Sequence, residues 1–166
     1  MQNITFFWFR RDLRLEDNAG LYHALHEGKN VVPVFIFDAE ILEALAEPND
    51  QRVPFIHQVI SDLKTELQEL GSDLVVRHGK PLELWPKLFK EFSAERLYCN
   101  HDYEPSAIRR DEKVLKLCEK AGVEFKTFKD HVIFERDEIV TEARKPYTVY
   151  TPYKKKWLAS LSAFYL

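Results

Sequence analysis

Five short apolar runs alternate with segments of helical periodicity over residues 4–128, and this alternation restricts the possible folds more than any other feature. The first run, Ile4–Phe9, contains no charged residue, which is typical of a strand buried on both faces. Strands that alternate with helices favour an open parallel sheet covered by helices on both faces. The apolar runs span residues 4–9, 31–37, 73–78, 96–99 and 123–128.

Start and stop signals mark the helical segments between these runs. Asp17 or Asn18 can cap the first helix, and Gly28 follows its last residue. Further helices are expected over 54–70, 81–89 and 106–118. The sequence therefore predicts an α/β fold of the Rossmann-like type, with an open five-stranded parallel sheet in the strand order 3-2-1-4-5.

Residues 131–166 differ in character from the rest of the chain. They are rich in charged residues, tyrosine and proline, and they end in a new helical pattern formed by Trp157, Leu158, Leu161 and Phe164. We expect a domain over 1–130, followed by an irregular linker over 131–166 that leads into a further helical segment.

Several common activities are excluded by missing motifs. The five glycines have no pair at the spacing of a dinucleotide fingerprint, which argues against a nicotinamide dehydrogenase. Gly79-Lys80 lacks the upstream glycine of a P-loop, and no nucleophile elbow occurs. His23 and His26 lie three residues apart without a third ligand nearby, so a solvated helix face is expected rather than a metal site.

The charge and the cysteine content restrict the binding partners and the cellular compartment that the chain can have. The formal net charge of −3 gives no general basic field for nucleic acid. Cys99 and Cys118 are too few for a disulfide framework and are interpreted as reduced thiols. No signal peptide and no membrane-spanning run is recognised, so we expect a cytoplasmic protein that does not bind membranes.

Charged side chains follow three of the predicted strands. Arg10 and Arg11 come after the first strand, Asp38 after the second, and Asp102 and Glu104 after the fourth. The carboxyl ends of parallel strands form the ligand-binding edge of an open sheet. Two interpretations stay open at this point: a pocket for a planar heterocycle, or ion pairs that only hold the loops.

Four segments resemble one known family. The segment Trp8–Asn18, WFRRDLRLEDN, is similar to the N-terminal signature of the DNA photolyase and cryptochrome family. Phe35–Asp38 resembles the second strand of that family, and Asn100–Pro105 with Arg109–Asp111 resembles its fourth βα loop. Pro146–Tyr153, followed by Lys156-Trp157, is most similar to class I cyclobutane pyrimidine dimer photolyases.

The resemblance implies that this chain is the N-terminal α/β domain, which binds an antenna chromophore. The partners it implies are a C-terminal helical domain that binds FAD and, through the full-length protein, UV-damaged DNA. No catalytic residue is expected in this chain, and the full-length protein would be a deoxyribodipyrimidine photo-lyase. Alternatives are a cryptochrome-like blue-light sensor without repair activity and, less favoured, a stand-alone nucleotide-binding domain of the stress-protein type.

The resemblance also implies a set of residues for the antenna chromophore. The favoured chromophores are 8-hydroxy-5-deazaflavin or FMN. Methenyltetrahydrofolate is less expected, because the Asn-Glu pair of folate-binding members falls here on Ser106 and Ala107. The cofactor-binding residues implied are Arg11, Phe37, Asp38, Arg52, Phe55, Asp102 and Glu104.

Overall fold

The computed structural model describes residues 3–45, 47 and 49–165. It divides into two compact units, Met1–Asp130 and His131–Leu166. The first unit contains β1 (Ile4–Phe9), α1 (Ala19–Glu27), β2 (Asn30–Asp38), α2 (Ala39–Glu43), α3 (Arg52–Glu69), β3 (Val75–Gly79), α4 (Pro81–Phe92), β4 (Ala94–Asn100), α5 (Pro105–Ala121) and β5 (Glu124–Phe128). The second unit contains α6 (Tyr150–Ser160).

The five strands form one parallel sheet in the order β3-β2-β1-β4-β5, which confirms the predicted fold. All six residues of the central strand β1 are buried. Its side chains alternate between two apolar layers, because successive residues of a strand point to opposite faces. Phe6 and Trp8 pack with Trp85 and Leu88 of α4 on one face. Phe7 and Phe9 pack with α1 and α3 on the other face.

Helix α1 lies unusually close to the sheet, and Gly20 permits this approach. Asn18 caps the helix by accepting a hydrogen bond from the N–H of Leu21 at 3.1 Å, as the sequence predicts. A Cβ atom on Gly20 would lie 2.6 Å from Asn100 Oδ1 and 2.8 Å from a ring carbon of Phe7. The close approach fixes the start of α1 against the carboxyl end of β4.

Two short elements differ from the sequence prediction. Helix α2 follows β2 directly and was not predicted, because five residues are too few to show helical periodicity. Helix α6 spans Tyr150–Ser160, whereas the apolar pattern predicted a helix through Phe164. The backbone becomes extended at Leu161 and ends the helix there, although the apolar spacing continues beyond that residue.

The first unit ends at the acidic side chain of Asp130, which is almost fully buried. Its carboxylate pairs with Arg14 at 3.0 Å and accepts a hydrogen bond from the N–H of Ala19 at 2.9 Å. These contacts join the chain after β5 to the start of α1. Within the described residues, no helix combines the length and the apolar character needed to cross a bilayer.

Candidate functional site

A cleft of about 380 Å³ opens at the carboxyl edge of the sheet. It lies where β1 is flanked by β2 on one side and β4 on the other. The chain leaves β1 toward α1 on one face of the sheet and β4 toward α5 on the other, and such a switch point leaves a crevice for a ligand. We call this cavity the switch-point cleft. Its lining comprises Trp8, Phe9, Arg10, Arg11, Phe35, Ile36, Phe37, Asp38, Ile41, Leu42, Arg52, Ile56, Asp102, Glu104, Ser106, Ala107 and Arg110.

The walls of the switch-point cleft are mainly apolar. Phe35 and Phe37 contact each other edge to face, with ring centroids 4.9 Å apart. Ile41 and Leu42 come from α2, and Ile56 comes from α3. Aromatic and aliphatic walls with a few polar groups are typical of sites that hold a planar ring.

Arg11 is a largely exposed charged residue of the cleft. Its side chain is 61% exposed and pairs with Glu104 at 2.7 Å and with Asp102 at 3.8 Å. Exposed ion pairs contribute little to stability, so a ligand can replace them at small cost. The guanidinium can donate to an oxygen at a ring edge, and the two carboxylates can accept from ring N–H groups.

Asp38 lies at the end of β2 and has two roles in the local structure. It caps α2 by accepting a hydrogen bond from the N–H of Glu40 at 3.0 Å. Burial raises the pKa of Asp38 above its usual range, although the N–H of Glu40 and the charge of Arg110 act in the opposite direction. This carboxyl is therefore held at the cleft by the backbone and lies in the field of a guanidinium.

The buried part of the family-like signature holds the first loop in place. Arg10 donates two hydrogen bonds to the carboxylate of Asp111 at 2.7 Å and a third to the backbone carbonyl of Asn100. Asp12 accepts from the N–H of Arg10 at 2.8 Å and from Asn100 Nδ2 at 2.5 Å. Asn100 Nδ2 also donates to Asn18 at 2.8 Å. Arg10 therefore stabilises the first loop. Arg11 lines the cleft without these buried bonds.

Arg110 is a cleft residue that the sequence reasoning did not assign. Its guanidinium lies 4.9 Å from the centre of the Trp8 ring, and that of Arg10 lies 5.1 Å from the same ring. Such cation–π contacts hold a guanidinium in a fixed orientation. The signal was its helical spacing: Arg110 follows Ala107 by three residues on α5, so both face the cleft.

Six of the seven sequence-predicted site residues lie together around the cleft. Phe55 is not among the lining residues; it is 68% exposed, and the adjacent Ile56 forms that wall instead. Arg52 lies at the start of α3, with Nη2 2.5 Å from the carboxylate of Asp50. The sequence reasoning missed Ile41 and Leu42 because it did not predict α2. The six residues around the cleft are Arg11, Phe37, Asp38, Arg52, Asp102 and Glu104.

The family model for DNA photolyase matches residues 5–164, almost the whole chain. The chain belongs to the DNA photolyase family. A deoxyribodipyrimidine photo-lyase of Halobacterium salinarum is 40% identical over 160 residues, which cover 91% of this chain and 33% of that protein. Cryptochrome-2 of Gallus gallus is 36% identical over 133 residues, covering 80% of this chain and 23% of that protein.

A solved family structure agrees with these matches. The archaeal photolyase of Sulfolobus tokodaii superposes with a TM-score of 0.69 at 37% identity, over 81% of this chain and 32% of that one. That crystal structure contains two FAD molecules, with the implication of a novel light-harvesting cofactor. The chain spans about a third of the length of the photolyases it matches.

Proposed function

We propose that this chain is the antenna-binding part of a deoxyribodipyrimidine photo-lyase. The observation that carries the proposal is the switch-point cleft, in which apolar walls and edge-facing charges come together in a member of the photolyase family. When bound, the antenna chromophore would supply light absorption and transfer of the excitation to FAD. The FAD belongs to a helical domain of the larger protein, and residues 131–166 are the linker that leads into it.

We infer that the residues of this chain bind and orient the chromophore and perform no bond chemistry. Phe37 and Ile56 would contact the faces of the ring system, and α2 would exclude water from it. Arg11 would donate to a ring oxygen, while Asp102 and Glu104 would accept from ring N–H groups. Orientation is the protein's contribution here, because the photochemistry belongs to the cofactor.

We favour a flavin-type antenna, either 8-hydroxy-5-deazaflavin or FMN. The second FAD of the Sulfolobus tokodaii photolyase supports a flavin-type occupant in this family. Ser106 and Ala107, which line the cleft, offer a hydroxyl and a methyl group where folate-binding members have an amide and a carboxylate. A folate antenna would lack that carboxylate, and buried ring N–H groups without acceptors weaken binding.

The second candidate function is light sensing without repair. The similarity to Cryptochrome-2 of Gallus gallus favours it, since the antenna-type fold is common to both kinds of protein. A repair assay on the full-length protein separates the two. Light-dependent loss of thymine dimers from irradiated DNA is expected for the photolyase, and its absence would favour the sensor.

We also propose a cytoplasmic location, consistent with the two free, buried thiols.

A fluorescence titration of the chain with 8-hydroxy-5-deazaflavin, FMN and methenyltetrahydrofolate tests the proposal. Arg11→Ala should weaken binding of the flavin-type ligand by about tenfold, the value of one charge-assisted hydrogen bond. Arg77→Ala is the matched control, because Arg77 pairs with Glu91 at 3.2 Å and lies outside the cleft. Equal affinities for the two variants, or no binding of any ligand, would contradict the proposal.

A further inference from the structure

Trp8 is the electron-rich side chain in the wall of the switch-point cleft. Among the described residues that line the cleft, no tyrosine, cysteine, methionine or second tryptophan accompanies it. An indole is the most easily oxidised of the aromatic side chains, and it can give an electron to a nearby ring that has absorbed light. Such a transfer ends the excited state before its energy reaches another chromophore. A tryptophan in this wall is therefore a route by which an antenna would lose its excitation.

Two guanidinium groups lie against the ring of Trp8. The central carbon of the Arg10 guanidinium is 5.1 Å from the ring centre, and that of Arg110 is 4.9 Å from it. Both distances fall within the ~6 Å of a cation–π contact. Arg10 directly follows β1, whereas Arg110 belongs to α5. The fold thus brings two cations from distant parts of the chain to one indole.

Arg110 decides the balance of charge beside this indole. Asp111 accepts hydrogen bonds from Arg10 at 2.7 Å and from Arg110 at 3.3 Å. Asp12 accepts from the backbone N–H of Arg10 at 2.8 Å. Without Arg110, one guanidinium would face two carboxylates, and Trp8 would lie beside net negative charge. The side chains of Arg10 and Arg110 are 7% and 18% exposed, so water screens their charges weakly.

A positive charge beside an aromatic ring opposes oxidation of that ring. Loss of one electron turns an indole into a radical cation, and the guanidinium groups then repel it. The neutral indole is attracted to the same groups through the negative face of its ring, and oxidation removes this attraction. Both effects make Trp8 a poorer electron donor than it would be without Arg110.

The residue behind Trp8 offers no way to make electron loss permanent. The rings of Trp8 and Trp85 are 5.3 Å apart, so Trp85 is the next indole from which an electron could come. Its N–H is buried and has no hydrogen-bond partner in the part of the chain that the structure describes. An oxidised indole is trapped when it passes its N–H proton to an acceptor, and Trp85 has no acceptor within reach.

We propose that Arg110, together with Arg10, protects the excited state of the antenna chromophore by making Trp8 hard to oxidise. The step that they suppress is the passage of one electron from the indole of Trp8 to the excited ring, which leaves the indole as a radical cation until the electron returns. Arg110 acts through Trp8 and is therefore a positioning residue. This inference rests on the proposed function, because it assumes a light-absorbing ring in the switch-point cleft.

Time-resolved fluorescence of FMN, bound to the chain at saturation, tests the inference. Arg110→Gln removes the charge and should shorten the excited-state lifetime of bound FMN at least about threefold, because a change in driving force acts exponentially on a rate. The double variant Trp8→Phe with Arg110→Gln should recover the lifetime, since phenylalanine does not donate an electron. Arg109→Gln is the matched control: it makes the same change on the preceding residue of α5, outside the cleft, and should leave the lifetime unchanged.

Two further measurements do not require a substitution in the core. Transient absorption of the Arg110→Gln variant with bound FMN should show an indole radical cation, which forms as the excited state decays and disappears as the electron returns. Arg110→Lys keeps a positive charge at this position, so its lifetime should stay close to that of the unsubstituted chain. If 8-hydroxy-5-deazaflavin binds and FMN does not, the same measurements use the deazaflavin.

The outcomes separate this inference from the proposed function. An unchanged lifetime in Arg110→Gln would overturn the inference and leave the antenna proposal intact. A shortened lifetime that persists in the double variant, or that appears without an indole radical, would also overturn it, because Arg110 would then act by another route. A several-fold longer lifetime in Trp8→Phe alone would do the same, since Trp8 would then already quench the chromophore. Failure of both FMN and the deazaflavin to bind would overturn both proposals.

Discussion

Replacement of Asn100 by alanine should destabilise the chain strongly, although Asn100 is not a lining residue of the switch-point cleft. The side chain is 1% exposed and makes three hydrogen bonds. Its Oδ1 accepts from the N–H of Gly20 at 2.7 Å. Its Nδ2 donates to Asp12 at 2.5 Å and to Asn18 at 2.8 Å. These bonds join the carboxyl end of β4 to the first loop and to the start of α1.

The expected cost follows from the hydrogen bonds that the partners of Asn100 lose. The buried N–H of Gly20 would lose its acceptor, which costs about 1–3 kcal/mol. The bond to the Asp12 carboxylate is charge-assisted, and its loss costs about 1.5–3 kcal/mol. Asn18 keeps its bond from the N–H of Leu21, so it adds little. We therefore expect a loss of about 2.5–6 kcal/mol in the free energy of unfolding, a large share of the ~5–15 kcal/mol typical of a domain.

Urea denaturation followed by far-UV circular dichroism measures this change. Asn30→Ala is the control, because the single side-chain bond of Asn30, to the carbonyl of Asn3, is 3.5 Å long and exposed; its effect should stay within about 0.5 kcal/mol. Asn100→Asp keeps the size of the side chain but places a second carboxylate against Asp12. Its destabilisation should shrink as the pH falls and one carboxyl is protonated. An Asn100→Ala variant as stable as the Asn30→Ala control would refute the reasoning.

Three further predictions concern stability and reactivity. A hydrogen bond from Lys126 and a smaller contribution from the hydrogen bond of Tyr98 lower the pKa of Glu27 from 4.5 to about 2. Glu27→Gln should therefore reduce the free energy of unfolding at pH 7, and the difference should disappear as the pH falls from about 4.5 through 2 in urea titrations. Burial raises the pKa of Cys99 and Cys118 to about 12, so neither thiol should react with a thiol-specific reagent at pH 8 until the chain is unfolded. The indole N–H of Trp85 has no hydrogen-bond partner among the described residues. Trp85→Phe should thus cost under about 1.5 kcal/mol by thermal denaturation, against about 3–5 kcal/mol for Trp85→Ala.

The sequence was sufficient to predict the fold because its signals agree at several levels. The buried run Ile4–Phe9 and the periodic helices point to a parallel sheet, and Asn18 and Gly122 mark helix ends where the structure has them. The end of α6 was less predictable. Its apolar spacing continues past Ser160, and spacing alone does not register the extended backbone at Leu161.

The site was predictable where it depends on topology and unpredictable where it depends on side-chain direction. Arg11, Asp38 and Asp102 follow different strands, and parallel pairing brings their ends to one edge of the sheet. Whether Phe55 or Ile56 faces the cleft depends on the rotation of α3, since adjacent helical residues point about 100° apart. For the same reason the sequence did not predict that Arg110 faces the cleft, because the packing of α5 sets the rotation of that helix.

The second unit was described only in part by the sequence. Its tyrosine-rich segment forms local ring contacts, such as Tyr147 with Tyr153 at 6.1 Å. Phe134 contacts Trp157 at 5.6 Å within the same unit. Composition alone indicated an irregular linker, because separate aromatic residues without a regular period give no pattern of secondary structure.

The most direct test of the central claim is a crystal structure of the chain grown with FMN or 8-hydroxy-5-deazaflavin. We expect the ring system in the switch-point cleft, between Phe37 and Ile56, with Arg11 within hydrogen-bond distance of a ring oxygen. A ring bound anywhere else on the chain would contradict it. So would an empty cleft at ligand concentrations that saturate the fluorescence signal.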